Sequence, residues 1–165
     1  MNILNYSSFY FVGVKGVAMT SLAQMLIDAN KSVIGSDVDQ EFVTEKQLQK
    51  LNIKIDNFKL PLPNNINCVV YTAAHGGVDN PQVQWAKENN IPTFSQAEAI
   101  ASLFNQKQGL AVCGVGGKST VSAMITWIMK SIGQNPSFSV GVGNIPGLEK
   151  TGAWTDSKYC VVEAD

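Results

Sequence analysis

The apolar run Leu110 to Cys113, the loop Gly114, Val115, Gly116 and Gly117, and then Lys118, Ser119 and Thr120 at the head of a helix pattern constrain this chain more than any other stretch. Strand, glycine loop and helix in that order specify a phosphate site. Glycine lacks the Cβ that would keep backbone N–H groups away from a polyphosphate, and the positive end of the helix faces the same anion. Lys118 adds a mobile charge for the terminal phosphates, and the Ser119 hydroxyl is placed to ligate Mg²⁺. A hard cation wants a second oxygen ligand, commonly a carboxylate at the end of a neighbouring buried strand. Glu163, closing the run Tyr159-Cys-Val-Val-Glu163, is the candidate. The loop is a short form, G-x-x-G-K-S-T, because Val112 stands where the common consensus has its first glycine. The bland alternative is a glycine turn on any α/β scaffold.

Net charge is −1 with 15% charged residues, so nothing marks a nucleic-acid or anionic-membrane surface. Hydrophobic residues are 45% of the chain, yet no apolar run approaches the roughly 20 residues of a membrane span. The start, Met1-Asn-Ile-Leu-Asn-Tyr6, lacks the regions of a signal peptide, and the expectation is a cytoplasmic protein acting on a small molecule. Cys68, Cys113 and Cys160 each lie in or beside an apolar strand pattern and at no metal-ligand spacing.

A second glycine loop lies near the start. Phe9 to Val12 is an apolar run, Gly13, Val14, Lys15 and Gly16 follow, and Met19, Leu22, Ala23 and Leu26 recur at helical spacing. This approximates a dinucleotide fingerprint, with Lys15 where the second glycine belongs and Ala18 at the third. The strand Ser32 to Ser36 then ends at Asp37, the distance downstream at which an acid meets a ribose in that fold. A plain strand-to-helix turn, with Asp37 a solvated loop acid, explains the same residues.

Thr44 with Gln47 has the form of a capping box opening a short helix, Ile53 to Ile55 reads as a strand, and residues 56–67 read as a surface loop. Cys68 to Tyr71 is a buried strand whose C-terminal edge, Thr72, Ala73, Ala74 and His75, sits where open α/β sheets bind ligands. His75 is the only histidine, and the sequence offers it no acid partner. Asn80-Pro81 starts a helix to about Asn89, Ile91 to Phe94 is a strand, and Ser95 with Glu98 forms a second capping box.

The polar interruption 105–108 sets the expected boundary: a Rossmann-like parallel-sheet domain over 1–106, then the start of a phosphate-loop domain over 107–165. In the second unit Val121, Met124, Ile125, Ile128 and Ile132 share a helix face, with Gly133 as the stop. Ser137 to Val140 is a strand, a long loop runs through Trp154, and Asn144 within it faces a nucleotide or second substrate unless the Asn-x-Pro-Gly composition is an ordinary turn.

Taken together, Phe11 to Met19, Gly35-Ser36-Asp37, Tyr71 to Ala74 with Asn80-Pro81, Gly114 to Thr120 and Glu163-Ala164-Asp165 resemble, in this order, the motifs of Mur ligases. The resemblance runs from about Phe9 to the last residue. It implies that the first domain binds the UDP of a sugar nucleotide rather than a redox dinucleotide, and that the chain binds ATP and Mg²⁺. On that reading Gly13, Val14, Lys15 and Gly16 hold the diphosphate, Ser36 and Asp37 lie near the uridine, and Thr72, Ala73 and Asn144 belong to the same substrate. Lys118 serves the β and γ phosphates, with Lys118 and Glu163 as catalytic residues and Ser119 and Glu163 as metal ligands. The implied substrates are UDP-N-acetylmuramate and an amino acid, L-alanine, joined through an acyl phosphate. Two departures stand out: Val115 and Gly116 replace the family's usual threonine and histidine, and residues 56–67 lack the family's usual histidine.

The family continues well past position 165, so a fragment, inactive alone, is expected. Its second unit should lean on the first or on another copy, the latter through a strand edge exposed beside Val161 and Val162. Alternatives within reach are a ligase that recycles a peptide onto the same sugar nucleotide, a non-catalytic sugar-nucleotide module, and a nicotinamide oxidoreductase. The last would bind NAD in the first domain.

Overall fold

The computed structural model describes residues 2–164, so Asp165 of the Glu-Ala-Asp motif lies outside the described residues. The first half alternates strand and helix: β1 (Ser8–Val12), α1 (Val17–Asp28), β2 (Ser32–Ser36), α2 (Glu45–Lys50), β3 (Ile55–Asp56), β4 (Cys68–Tyr71), α3 (Pro81–Glu88), β5 (Thr93–Ser95) and α4 (Gln96–Phe104). Its strands form one parallel five-stranded sheet in the order β3-β2-β1-β4-β5. Phe9 and Phe11 point to one face and Tyr10 and Val12 to the other, and both sets are buried, as expected of a parallel sheet covered on both sides. The order reverses between β1 and β4, which places the ligand crevice of such a sheet beside the loops that follow those two strands.

Local signals decide several boundaries. Asn80 accepts the Gln82 N–H and Pro81 takes the first helical position, so α3 starts where the sequence places it. Ser95 and Glu98 make the reciprocal capping box, and those bonds to Ser95 hold the Glu98 carboxyl below its ordinary range. Thr44 departs from expectation. It precedes α2 but its hydroxyl donates to the Lys15 carbonyl instead of capping the helix, while the Gln47 amide crosses to the Gly143 carbonyl at 2.7 Å. The third strand sits at Ile55–Asp56 rather than 53–55.

The second half contains β6 (Gln108–Val112), α5 (Lys118–Ser131), β7 (Ser137–Ser139), β8 (Gly152–Ala153) and β9 (Tyr159–Glu163), in a sheet of order β6-β9-β7-β8. β8, within the segment read as loop, pairs antiparallel to β7. The expected open edge beside Val161 and Val162 does not exist: β9 is paired on both sides and both valines are buried. The edge strands are β6, where Leu110 is 43% exposed, and β8. The apolar stripe of α5 is also reversed. Ser122 and Thr126 are buried, and of the expected stripe only Ile125 packs inward, with Ala123 and Met129; Val121, Met124, Ile128 and Ile132, together with Trp127, are largely exposed, so the helix turns its more apolar side outward.

The two sheets share α1. Its apolar face packs on the first sheet in a cluster that also takes in Cys160 and Val162 of β9. Its polar face, Ser21, Gln24 and Asp28 at helical spacing, meets the second sheet. The Ser21 and Ser139 hydroxyls lie 2.8 Å apart, and the Gln24 side-chain oxygen accepts the Thr151 and Gly152 N–H groups at 3.0 and 2.8 Å. Asp28 pairs with Lys150 and accepts the Trp154 N–H. Beside this seam, Lys107 donates to the Thr155 and Ser157 carbonyls with its ammonium 4.2 Å from the Trp154 ring. The expectation that the second unit leans on the first is met in this seam.

Candidate functional site

The glycine loop expected to hold phosphate joins β6 to α5 at the C-terminal edge of the second sheet. Gly117 is the residue preceding α5 and has φ of 76°, a left-handed conformation that glycine adopts without strain. Gly114, Val115, Gly116 and Gly117 are all exposed, with their backbone open to a ligand. Lys118 and Ser119 open the helix, and the Ser119 hydroxyl lies 2.9 and 3.0 Å from the two carboxylate oxygens of Glu163. Glu163 also accepts the Gly141 N–H at 3.0 Å. The loop thus meets the end of β9 at one sheet edge. A hydroxyl and a carboxylate this close are two hard oxygen donors, a pair that fits Mg²⁺ completed by water and phosphate oxygens. No cluster of three or more histidine, cysteine or acidic side chains fit to hold a metal occurs among the described residues.

The first glycine loop is arranged differently from its reading as a cradle. Gly13, with φ of 84°, packs so closely on Thr72 that a β-carbon would stand 2.4 Å from the threonine methyl, which brings the β1 and β4 loops together. The Gly13 and Val14 N–H groups both donate to the Ser36 carbonyl, and the Lys15 N–H donates to Asp37 Oδ2 at 2.7 Å. Three of the donors expected to hold a diphosphate are therefore used inside the chain. At the amino end of α1 the N–H groups of Gly16, Val17, Ala18 and Met19 have no backbone acceptor among the described residues, and those of the partly exposed Gly16, Val17 and Ala18 are open to an anion. The Lys15 ammonium is buried against Glu45 at 2.7 Å and the Gln40 carbonyl at 3.0 Å. Ser36 turns its hydroxyl to buried Gln82, and Asp37, 1% exposed, accepts the Val38 N–H as well. Ala73 is exposed beside Thr72.

His75 does have an acid partner. Its Nε2 lies 3.4 Å from Asp37 Oδ1, a contact across separate loops that spacing along the chain could not reveal. Asn144 lines a groove of about 550 Å³ with Ser119, Thr120 and Trp127, and also a cavity shared with Val43 and Gln47 beside α2. A further cavity, of about 470 Å³, runs between the two sheets from Val17 and Ala18, past Ile100 and Phe104 of α4, to Gly141 and Glu163. One cleft thereby connects the amino end of α1 to the carboxylate beside the phosphate loop.

The family model described as "Mur ligase family, catalytic domain" matches residues 8–108. The chain belongs to the Mur ligase family. This Mur ligase chain is 35% identical over 160 residues to UDP-N-acetylmuramate–L-alanine ligase of Aquifex aeolicus, an alignment that takes in 95% of the chain and 34% of that protein. It is 33% identical over 167 residues to the ligase of the same name from Bdellovibrio bacteriovorus, with 98% and 35% covered. The chain thus spans about a third of the length of the curated relatives it matches. Among solved structures, UDP-N-acetylmuramate:L-alanyl-gamma-D-glutamyl-meso-diaminopimelate ligase from Neisseria meningitides superposes with a TM-score of 0.84 at 22% identity, over 97% of this chain and 53% of that one. UDP-N-acetylmuramate–alanine ligase from Thermotoga maritima gives 0.82 at 23%, over 94% and 37%. These likenesses show the Mur ligase fold. No helix among the described residues is long and apolar enough to cross a membrane.

Spacing could not have revealed the residues that join the two halves of this Mur ligase chain. Ser21, Gln24 and Asp28 look like the solvated side of a helix, and only the second sheet shows them as a seam. Burial also separates the cysteines. It pushes the Cys68 and Cys160 thiols up to about 12, whereas Cys113 is exposed at the entrance to the phosphate loop. Because the thiolate is the reactive form, iodoacetamide at about pH 8 is expected to label Cys113 alone in the folded chain and all three cysteines in denaturant. Peptide mass spectrometry reads the outcome, and rapid native labelling of Cys160 would contradict the packing of β9.

Proposed function

We propose that this chain supplies the sugar-nucleotide site and the phosphate loop of an ATP-dependent ligase that joins L-alanine to the lactyl carboxylate of UDP-N-acetylmuramate in peptidoglycan synthesis, in the cytoplasm. The observation that carries the reading is the single cleft from the amino end of α1 to Glu163. An anionic sugar nucleotide anchored at the Gly16 to Ala18 N–H groups can extend its carboxylate toward the end of β9, where ATP would lie on the phosphate loop.

The chemistry asks little covalent help from the protein. The substrate carboxylate takes the γ-phosphoryl group, releasing ADP and leaving an acyl phosphate. The amino-acid nitrogen then attacks the acyl carbon, phosphate departs, and the nitrogen loses its proton. The loop N–H groups and Lys118 neutralise phosphate charge, and the two units hold the reacting groups in line. Ser119 and Glu163 would hold Mg²⁺, which when bound offsets the charge of the phosphate oxygens.

The names of the relatives favour L-alanine over a peptide as the amine partner. The reaction belongs to a chain of the relatives' length. These residues are expected to bind ligands without turning them over. Native mass spectrometry with UDP-N-acetylmuramate and Mg²⁺-ATP tests the reading: one sugar nucleotide per chain is expected, and its absence would overturn the proposal.

A further inference from the structure

Two residues at the C-terminal edge of the first sheet hold left-handed backbone that side chains other than asparagine seldom adopt. His75 has φ of 54° and Phe58 has φ of 40°. Among the described residues the other non-glycine positions with positive φ are all asparagines: Asn30, Asn52 and Asn90 each stand two residues past a helix, where asparagine commonly ends the turn, and Asn135 lies in the loop after α5. Neither His75 nor Phe58 follows a helix in this way; left-handed backbone is strained in a bulky residue such as Phe58 and uncommon in histidine. Strain of this kind persists where the surroundings over-determine it, as at ligand sites.

The two rings touch each other. Their centroids lie 5.3 Å apart at 51°, one from the loop before β4 and the other from the loop after it. The imidazole also abuts Gly13, its Cδ2 3.3 Å from where a β-carbon would stand, and the His75 carbonyl is tied by the Asn80 amide at 2.9 Å. Its Nε2 faces Asp37 Oδ1, while Asp37 Oδ2 holds the Lys15 N–H. A continuous chain of contacts therefore runs from Phe58 through His75 and Asp37 to the backbone of the first glycine loop, at the point where the strand order reverses.

We infer that His75 is a positioning residue for a nucleoside-diphosphate ligand: it braces Asp37, and through Asp37 it fixes the loop so that the Gly16 to Ala18 N–H groups face the diphosphate. The inference rests on the nucleotide-site reading of the first unit. It assigns work to the left-handed backbone at His75 and Phe58, which neither the sheet nor the helices require.

Calorimetric titration with UDP separates a side-chain role from a backbone one. Asparagine takes positive φ readily but is too short to reach Asp37, whereas glutamine reaches it from a less comfortable backbone. His75→Asn is expected to raise the Kd for UDP about tenfold with the thermal midpoint kept within a few degrees, and His75→Gln to stay within about threefold of the unsubstituted chain. Unchanged UDP affinity in His75→Asn, or glutamine as weak as asparagine, would overturn the role of His75 and leave the nucleotide site standing. An unsubstituted chain that binds no UDP would overturn the nucleotide-site reading, and this inference with it.

Discussion

Glu163→Gln is expected to remove the Mg²⁺ dependence of ATP binding. The substitution keeps the shape of the side chain and an oxygen for the Gly141 N–H, so the end of β9 should stay in place. It removes the negative charge that faces the Ser119 hydroxyl at 2.9 and 3.0 Å. Contacts to a charged group contribute about 1.5–3 kcal/mol, so Mg²⁺-ATP affinity should fall about 10–100-fold while metal-free ATP affinity holds or rises slightly. Lys118→Ala should weaken both, as expected of a lysine proposed to act on the phosphates directly. The check is an ATP titration with and without Mg²⁺ for each variant. A Glu163→Gln chain that keeps the full Mg²⁺ dependence would take the carboxylate out of the metal site.

The largest stability effect is expected at Gly152, not in either glycine loop. A β-carbon there would stand 2.1 Å from the Ser21 carbonyl oxygen and 2.6 Å from its hydroxyl, inside a helix backbone that cannot give way. Gly152→Val must push β8 off α1. That breaks the bonds from Gln24 to the buried Thr151 and Gly152 N–H groups. Overpacking of this kind costs about 1–3 kcal/mol, and buried donors left without acceptors add about 1–3 kcal/mol each. Even the lower end of that sum, about 3 kcal/mol, corresponds to a fall of about 6–12 °C in thermal midpoint for a chain of this size. Gly116→Ala is the control, because nothing lies within 4 Å of the point its new methyl would occupy and the change should stay within about 0.5 kcal/mol. Equal midpoints for Gly152→Val and Gly116→Ala would contradict the seam between the sheets.

The sequence made the βαβ order of the first unit legible because each of its signals is local. Gly13 closes β1, Asn80-Pro81 opens α3, and the Ser95 and Glu98 pair opens α4 within a few residues of its own backbone. Thr44 failed as a cap for the opposite reason: a distant carbonyl, that of Lys15, claimed its hydroxyl. The place of β9 at the middle of its sheet was equally hidden, since an apolar strand reads the same whether it has one neighbour or two. The stripe on α5 was visible, but the side facing the sheet was not, because Ser122 and Thr126 turned inward with the helix. At the site, Lys118, Ser119 and Glu163 were readable from motif order, and the structure adds the contact between the last two. Asp37 was readable as a loop acid, whereas its bonds to Lys15 and its approach to His75 depend on three loops converging.

The claim on which the rest depends is that the first unit takes a sugar nucleotide. Calorimetric titration of this chain with UDP-N-acetylmuramate, beside a parallel titration with NAD, tests it most directly. Saturable heat at one site with the sugar nucleotide and none with NAD is the expected result. Saturable binding of NAD without any response to UDP-N-acetylmuramate would contradict it.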